Sequence, residues 1–124
     1  MGTILVIDDD EYMRDLLRLH LSNAGYEVLV AEDAVVGGHS LFRQRPDLIL
    51  LDVEMPFMTG LEFVKALKAD PEVSDIPVVF VSSRDDCEEK AKELGAGDFL
   101  RKPLLADRLL ATVAGYVEGG RIAL

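Results

Sequence analysis

A chain of 124 residues, 49% of them hydrophobic and 29% charged, is long enough for one core and too short for two, and its composition is globular rather than disordered. Its 13 basic and 23 acidic residues leave a net charge of −10, which argues against direct contact with nucleic acid or an anionic membrane. The single cysteine, Cys87, excludes an internal disulfide, no apolar run approaches the roughly 18 residues of a membrane span, and the N-terminus enters a strand without a signal peptide, so a soluble cytoplasmic domain is expected.

The first predicted element is a strand over residues 4–7, Ile4-Leu5-Val6-Ile7, ending in Asp8, Asp9 and Asp10. Asp10 is placed to cap the next helix, whose inward face is Met13, Leu16, Leu17, Leu21 and Ala24 and which Gly25 ends. A second strand covers 27–31. The second helix, Asp33 to Arg45, is weaker, because Gly37 and Gly38 each cost about 1 kcal/mol against alanine. The third strand, 48–51, runs into Asp52 and then Met55-Pro56. Thr59-Gly60-Leu61-Glu62 has the spacing of a capping box for a third helix, which stops before Pro71. A fourth strand over 78–81 is followed by Ser82 and Ser83. Asp85-Asp86-Cys87-Glu88 starts a fourth helix, closed by Gly95.

The fifth strand, 98–101, leads to Lys102-Pro103, and the fifth helix spans Leu105 to Val117 with Leu109, Leu110, Val113 and Val117 inward. The domain is placed over 1–118, with 119–124 as a tail or the start of a linker. Strands that read as near-continuous apolar runs suit a parallel sheet covered on both faces. Five alternating units make a doubly wound α/β domain, with no internal repeat.

In an open α/β sheet, ligands bind beyond the carboxyl ends of the strands. Those ends deliver Asp8, Asp9 and Asp10 from the first strand, Asp52 from the third, Ser82 and Ser83 from the fourth, and Lys102 from the fifth. Two carboxylates about 4 Å apart repel by roughly 4 kcal/mol at an effective dielectric of 20, so such a cluster calls for a cation. Hard anionic oxygens suit Mg²⁺, which keeps waters and accepts a phosphate oxygen as a further ligand. With its charge offset, Asp52 is a nucleophile towards phosphorus, Lys102 a cation for a phosphoryl oxygen, and Ser82 a hydrogen-bond donor to another.

Asp8-Asp9, Asp52 with Met55-Pro56 and Gly60, Ser82 and Lys102-Pro103, in this order and spacing, resemble the receiver domain of bacterial two-component response regulators. The resemblance covers the chain from Ile4 to about Val117 and implies a flavodoxin-like fold with strand order 2-1-3-4-5. It implies that Asp52 is the phosphoacceptor and that Mg²⁺ is held by Asp9 and Asp52, by Asp8 largely through water, and by the main-chain carbonyl of Glu54. Ser82 and Lys102 correspond to the family's switch hydroxyl and lysine, Phe99 to its switch aromatic, and the Lys102–Pro103 bond to a cis peptide. The implied donor is a sensor histidine kinase or phosphotransfer protein. The implied output is a change in the face of helix 4, strand 5 and helix 5, read by an output domain, a partner protein or a phosphorylation-dependent second copy. Such a domain is a signalling module that catalyses only its own phosphorylation and dephosphorylation.

Some positions depart from commoner receiver patterns. Serine stands at 82 where threonine is frequent, and Leu104 comes after Lys102-Pro103 where an aromatic is usual. Glu54 and Arg84 each lie two residues past a key strand end, and they are expected to pair across the mouth and hinder attacking water. Asp10 reads as a helix cap rather than a ligand, Ser83 as a turn hydroxyl, Cys87 as an inert helix residue, and His20 and His39 as helix residues without a donor role. Three rival readings are weighed. A nucleotide or flavin module needs a phosphate-cradling loop where Asp8-Asp9-Asp10-Glu11 instead repels anions. An aspartate-nucleophile phosphatase usually carries Asp-x-Asp where this chain has Asp52-Val53-Glu54. A degenerate receiver acting as a scaffold would not need the full set of Asp8, Asp9, Asp52, Ser82 and Lys102.

Overall fold

Five parallel strands, β1 (Thr3–Ile7), β2 (Glu27–Ala31), β3 (Leu48–Leu51), β4 (Val78–Ser82) and β5 (Asp98–Arg101), lie in the order β2-β1-β3-β4-β5, the three central ones almost wholly apolar and the edge strands β2 and β5 carrying charged residues. The computed structural model describes residues 2–84 and 86–118; the tail expected at 119–124, and Asp85 in the expected start of the fourth helix, lie outside the described residues. Helices α1 (Glu11–Asn23), α2 (Ala34–Arg43), α3 (Gly60–Ala69), α4 (Glu88–Glu93) and α5 (Ala106–Val117) alternate with the strands. This is the doubly wound, flavodoxin-like (βα)5 architecture expected from the sequence. Among the described residues no helix is long and apolar enough to cross a membrane.

The strand period of two divides the core between the faces of the sheet. Ile4, Val6, Leu48, Leu50, Val79, Val81 and Leu100 pack with α1 and α5 through Met13, Leu17, Leu21, Leu109, Val113 and Val117. Leu5, Ile7, Ile49, Leu51, Val78, Phe80 and Phe99 belong to a second cluster with Leu41, Phe63, Val64, Leu67 and Ala91 of α2, α3 and α4. Register aligns the functional ends: Ile7 pairs with both Ala31 and Leu51, so Asp8 and Asp52 leave the sheet side by side. The amide of Asp52 still donates to the Ile7 carbonyl at 3.0 Å, and that of Lys102 to Ser82 at 2.9 Å.

The helix boundaries differ from expectation where local chemistry intervenes. Ala24 is not part of the inward face of α1; it is the exposed C-cap, and Gly25, at φ 97°, turns the chain towards β2. Helix α2 stops at Arg43, short of Arg45, because Pro46 disfavours helical backbone at the preceding residue. Its Gly37 answers a packing demand, since a Cβ there would lie 2.5 Å from Ile7 Cδ1. Helix α4 begins only at Glu88, without a side-chain cap, because the Asp86 carboxylate is held by Arg84. Helix α5 begins at Ala106, after an extended Leu105.

Candidate functional site

The site sits where strand ends stop being covered by helices. Asp8 is 1% exposed and Asp52 is 7% exposed, whereas Asp9 lies open to solvent. One carboxylate oxygen from each of the three comes within 4.8 Å of the others. Lys102 Nζ, swung in from β5, lies 3.1 Å from Asp8 Oδ2 and 3.7 Å from Asp52 Oδ2. One ammonium therefore faces two buried carboxylates and a third beside them. Burial raises the Asp52 pKa from 3.8 to about 6; the Asp8 charge adds to the rise, the Lys102 charge opposes it, and Asp9 contributes further upward.

The backbone around Asp52 is fixed by the start of α3. Gly60 N–H donates to the Val53 carbonyl at 2.7 Å, and a Cβ at Gly60 would lie 2.2 Å from the Asp52 carbonyl oxygen. Only glycine lets α3 start this close to the strand end. Thr59 and Glu62 make the expected capping box: Glu62 N–H donates to Thr59 Oγ1, and Thr59 N–H to Glu62 Oε1.

Asp9, Asp10, Asp52, Glu54, Ser82, Ser83 and Lys102 line one cavity of about 220 Å³. Asp10 is the N-cap of α1, accepting from Tyr12 N–H at 3.0 Å, as its reading as a cap requires. The buried Ser82 Oγ accepts from Arg84 N–H at 3.1 Å. Glu54 lines the cavity, but its carboxylate stands outside the three-oxygen cluster and pairs with Arg84 Nη1 at 3.2 Å, across the mouth as anticipated. Arg84 also grips Asp86 through Nε and Nη2, at 3.0 and 2.8 Å. That guanidinium holds the Asp86 carboxyl down at about 2. The Lys102–Pro103 peptide is cis.

Phe99 is buried, its ring 5.9 Å from that of Phe80 and tilted by 35°. It also lines a groove of about 360 Å³ with Glu88, Arg101, Pro103, Leu104, Leu105 and Arg108, which puts it on the α4–β5–α5 side rather than in the acidic cavity.

Two contributors escaped the sequence reading. Arg14 Nη1 donates to the Asp8 carbonyl at 2.7 Å, tying the acidic loop back to α1. Helical side chains lean towards their own N-terminus, and that geometry is the signal by which Arg14 could have been found. Asp86 was read only as a helix starter, and no spacing rule pairs it with Arg84.

The arrangement has the ingredients to hold a divalent cation, to present a carboxylate nucleophile, and to set a lysine beside it. The chain as a whole is similar to known proteins. Residues 4–114 match the response regulator receiver domain family. The chain is 39% identical over 117 residues to the response regulator MprA of Mycobacterium leprae, covering 93% of this chain and 50% of that protein. It is 36% identical over 120 residues to the DNA-binding dual master transcriptional regulator RpaA of Synechocystis, covering 95% and 50%. It thus spans about half the length of these relatives. Among solved structures, the chemotaxis protein CheY4 of Vibrio cholerae superposes with a TM-score of 0.88 at 32% identity, covering 94% of this chain and 98% of that one. NtrX of Brucella abortus superposes at 0.89 with 31% identity, covering 98% of this chain and 28% of its own.

Proposed function

This chain belongs to the response regulator receiver domain family of two-component signalling, and from that premise we propose that Asp52 accepts a phosphoryl group from a phosphohistidine and that its occupancy controls the α4–β5–α5 face. The observation that carries the reading is the convergence of Asp8, Asp9 and Asp52 within 4.8 Å, with Lys102 3.7 Å from the Asp52 carboxylate. The donor set suits Mg²⁺, being hard, anionic and short of positive charge. Asp9 and Asp52 would hold it directly, Asp8 largely through water, and Glu54 by its main-chain carbonyl. When bound, the cation offsets the carboxylate repulsion and offers a position to a phosphoryl oxygen.

The chain's own residues do the rest. An Asp52 carboxylate oxygen forms the new bond to phosphorus as the bond from phosphorus to the histidine nitrogen breaks. The half-buried Lys102 ammonium, already beside Asp52, orients towards a phosphoryl oxygen and stabilises charge there. The Ser82 hydroxyl accepts from Arg84 N–H and keeps its own proton to donate to another oxygen. Moving Ser82 that way weakens its hold on Arg84 and loosens the segment that leads into α4. Partners of this reading are a sensor histidine kinase or phosphotransfer protein and an output domain or partner protein, in the cytoplasm. The domain is a signalling module rather than an enzyme acting on a separate substrate.

Incubation with acetyl phosphate and Mg²⁺, followed by intact mass, tests the reading. Wild type is expected to gain the mass of one phosphoryl group and Asp52→Asn none. No gain in wild type, with Mg²⁺ binding absent by calorimetry, would overturn it in favour of a scaffold.

A further inference from the structure

Of the three acids in the cluster, Asp9 is the one that burial does not hold. Asp8 and Asp52 are buried, whereas Asp9 stands open to solvent between β1 and α1. The backbone on either side of Asp9 must therefore keep its carboxylate within 4.8 Å of the other two. Both peptide units that flank the Asp9 Cα are tied by a side chain. Asp10 N–H, in the 9–10 unit, donates to Asp8 Oδ1 at 2.9 Å. The carbonyl of Asp8, in the 8–9 unit, accepts from Nη1 of the half-buried Arg14 at 2.7 Å. Asp8 is itself well anchored: its N–H donates to the Ala31 carbonyl at 3.1 Å, and its Oδ2 accepts from Lys102 Nζ at 3.1 Å.

We propose that Arg14 is a positioning residue of the cation site: by holding the Asp8 carbonyl it fixes the peptide that aims the Asp9 carboxylate at Asp8 and Asp52. This rests on the reading that the three acids take up Mg²⁺. Groups that orient a metal ligand without touching the metal typically contribute about tenfold to a hundredfold in affinity. Here the orientation is set through the backbone, whose freedom at Asp9 would otherwise be lost on binding. The charge of Arg14 works the other way, since a guanidinium near a dication site repels the ion. Its hydrogen bond favours the cation and its charge opposes it, and the opposite signs separate the two in an experiment.

Isothermal calorimetry of Mg²⁺ binding to wild type, Arg14→Met and Arg14→Lys tests the proposal. Methionine keeps an unbranched stem and the helix preference but has neither charge nor N–H donor. Loss of the charge alone would tighten Mg²⁺ binding in Arg14→Met; loss of the positioning bond is expected to raise its dissociation constant about tenfold. Arg14→Lys is expected to bind more tightly than Arg14→Met although it keeps the repelling charge, because it keeps a donor for the carbonyl. Labelling of Asp52 by acetyl phosphate gives a second measurement. In Arg14→Met the Mg²⁺ concentration for half-maximal rate should rise with the dissociation constant, while the rate at saturating Mg²⁺ stays near that of wild type. A rate lost at saturation with the half-maximal concentration unmoved is the mark of a merely destabilised fold and would overturn the proposal. A wild type that binds no Mg²⁺ overturns the cation reading itself and this role with it. A wild type that binds, with Arg14→Met equal or tighter, or Arg14→Lys no tighter than Arg14→Met, overturns the role of Arg14 alone.

Discussion

Asp52→Asn removes one charge from a buried site with little change of shape, and it should make the cation-free protein more stable. The Asp52 pKa stands near 6 in the fold, raised by burial and then by Asp8, against 3.8 in an unfolded chain. The folded protein thus holds the proton longer, and ionisation penalises the fold. Stability is full below the unfolded value and is lost as pH rises from about 4 through about 6. The gap between 3.8 and about 6 corresponds to about 3 kcal/mol, realised fully above pH 7 and roughly half at pH 5. Urea unfolding of wild type and Asp52→Asn with a chelator, at pH 8 and pH 5, reads the difference directly. The variant should be more stable by about 3 kcal/mol at pH 8 and by about half of that at pH 5. Adding Mg²⁺ should narrow the gap at pH 8, since a cation that binds only the folded protein stabilises it by mass action. An equally or less stable variant at pH 8, or a difference independent of pH, would refute the claim that Asp52 is ionised under strain.

The same geometry sets other outcomes. Asp9→Ala, at an exposed position that should not disturb folding, is expected to abolish Mg²⁺ binding by isothermal calorimetry while urea stability without the cation holds or rises. Gly60→Ala drives a Cβ to 2.2 Å from the Asp52 carbonyl and is expected to cost about 1–3 kcal/mol in urea unfolding and to slow labelling by acetyl phosphate. Glu54→Ala and Arg84→Ala open the ion pair at the mouth and are each expected to speed dephosphorylation, by up to about fivefold, in a decay of the phosphorylated mass. Unchanged decay in both would mean that the pair does not obstruct water.

The fold was legible because its signals were long and redundant. Leu48-Ile49-Leu50-Leu51 can only be buried on both faces, and Thr59 with Glu62 announces the start of α3 four residues before its first buried aromatic, Phe63. The strand-end residues were legible for a topological reason: in a parallel sheet every carboxyl end lies on one rim, so Asp8, Asp52, Ser82 and Lys102 had to be neighbours. Contacts that depend on side-chain reach were not legible. Arg14 reaches back from α1 to the Asp8 carbonyl, and Arg84 splits its guanidinium between Glu54 and Asp86, delaying α4. The left-handed Phe57 gave no sign either, because phenylalanine is a poor candidate for that conformation.

Arg84 is also where the chemistry of the rim meets the rest of the molecule. Its amide is held by Ser82, on the buried floor of the site, and its guanidinium by Glu54 on the β3–α3 loop and Asp86 before α4. Three segments that share no strand pairing at this point are thus joined through one exposed residue. On the proposed reading, a charge added at Asp52 would act on that knot twice: it would compete for the Ser82 hydroxyl, and it would repel Glu54 on the adjoining loop. Both effects bear on the short, uncapped α4, the helix with the least local support of the five. Beside it, Glu88 and Phe99 line the same groove, so a shift of α4 alters the wall against which the Phe99 ring rests. The segment least able to resist a small displacement lies between the site and the face, and on the proposed reading that placement would let a sub-ångström change at a carboxylate become a change of surface.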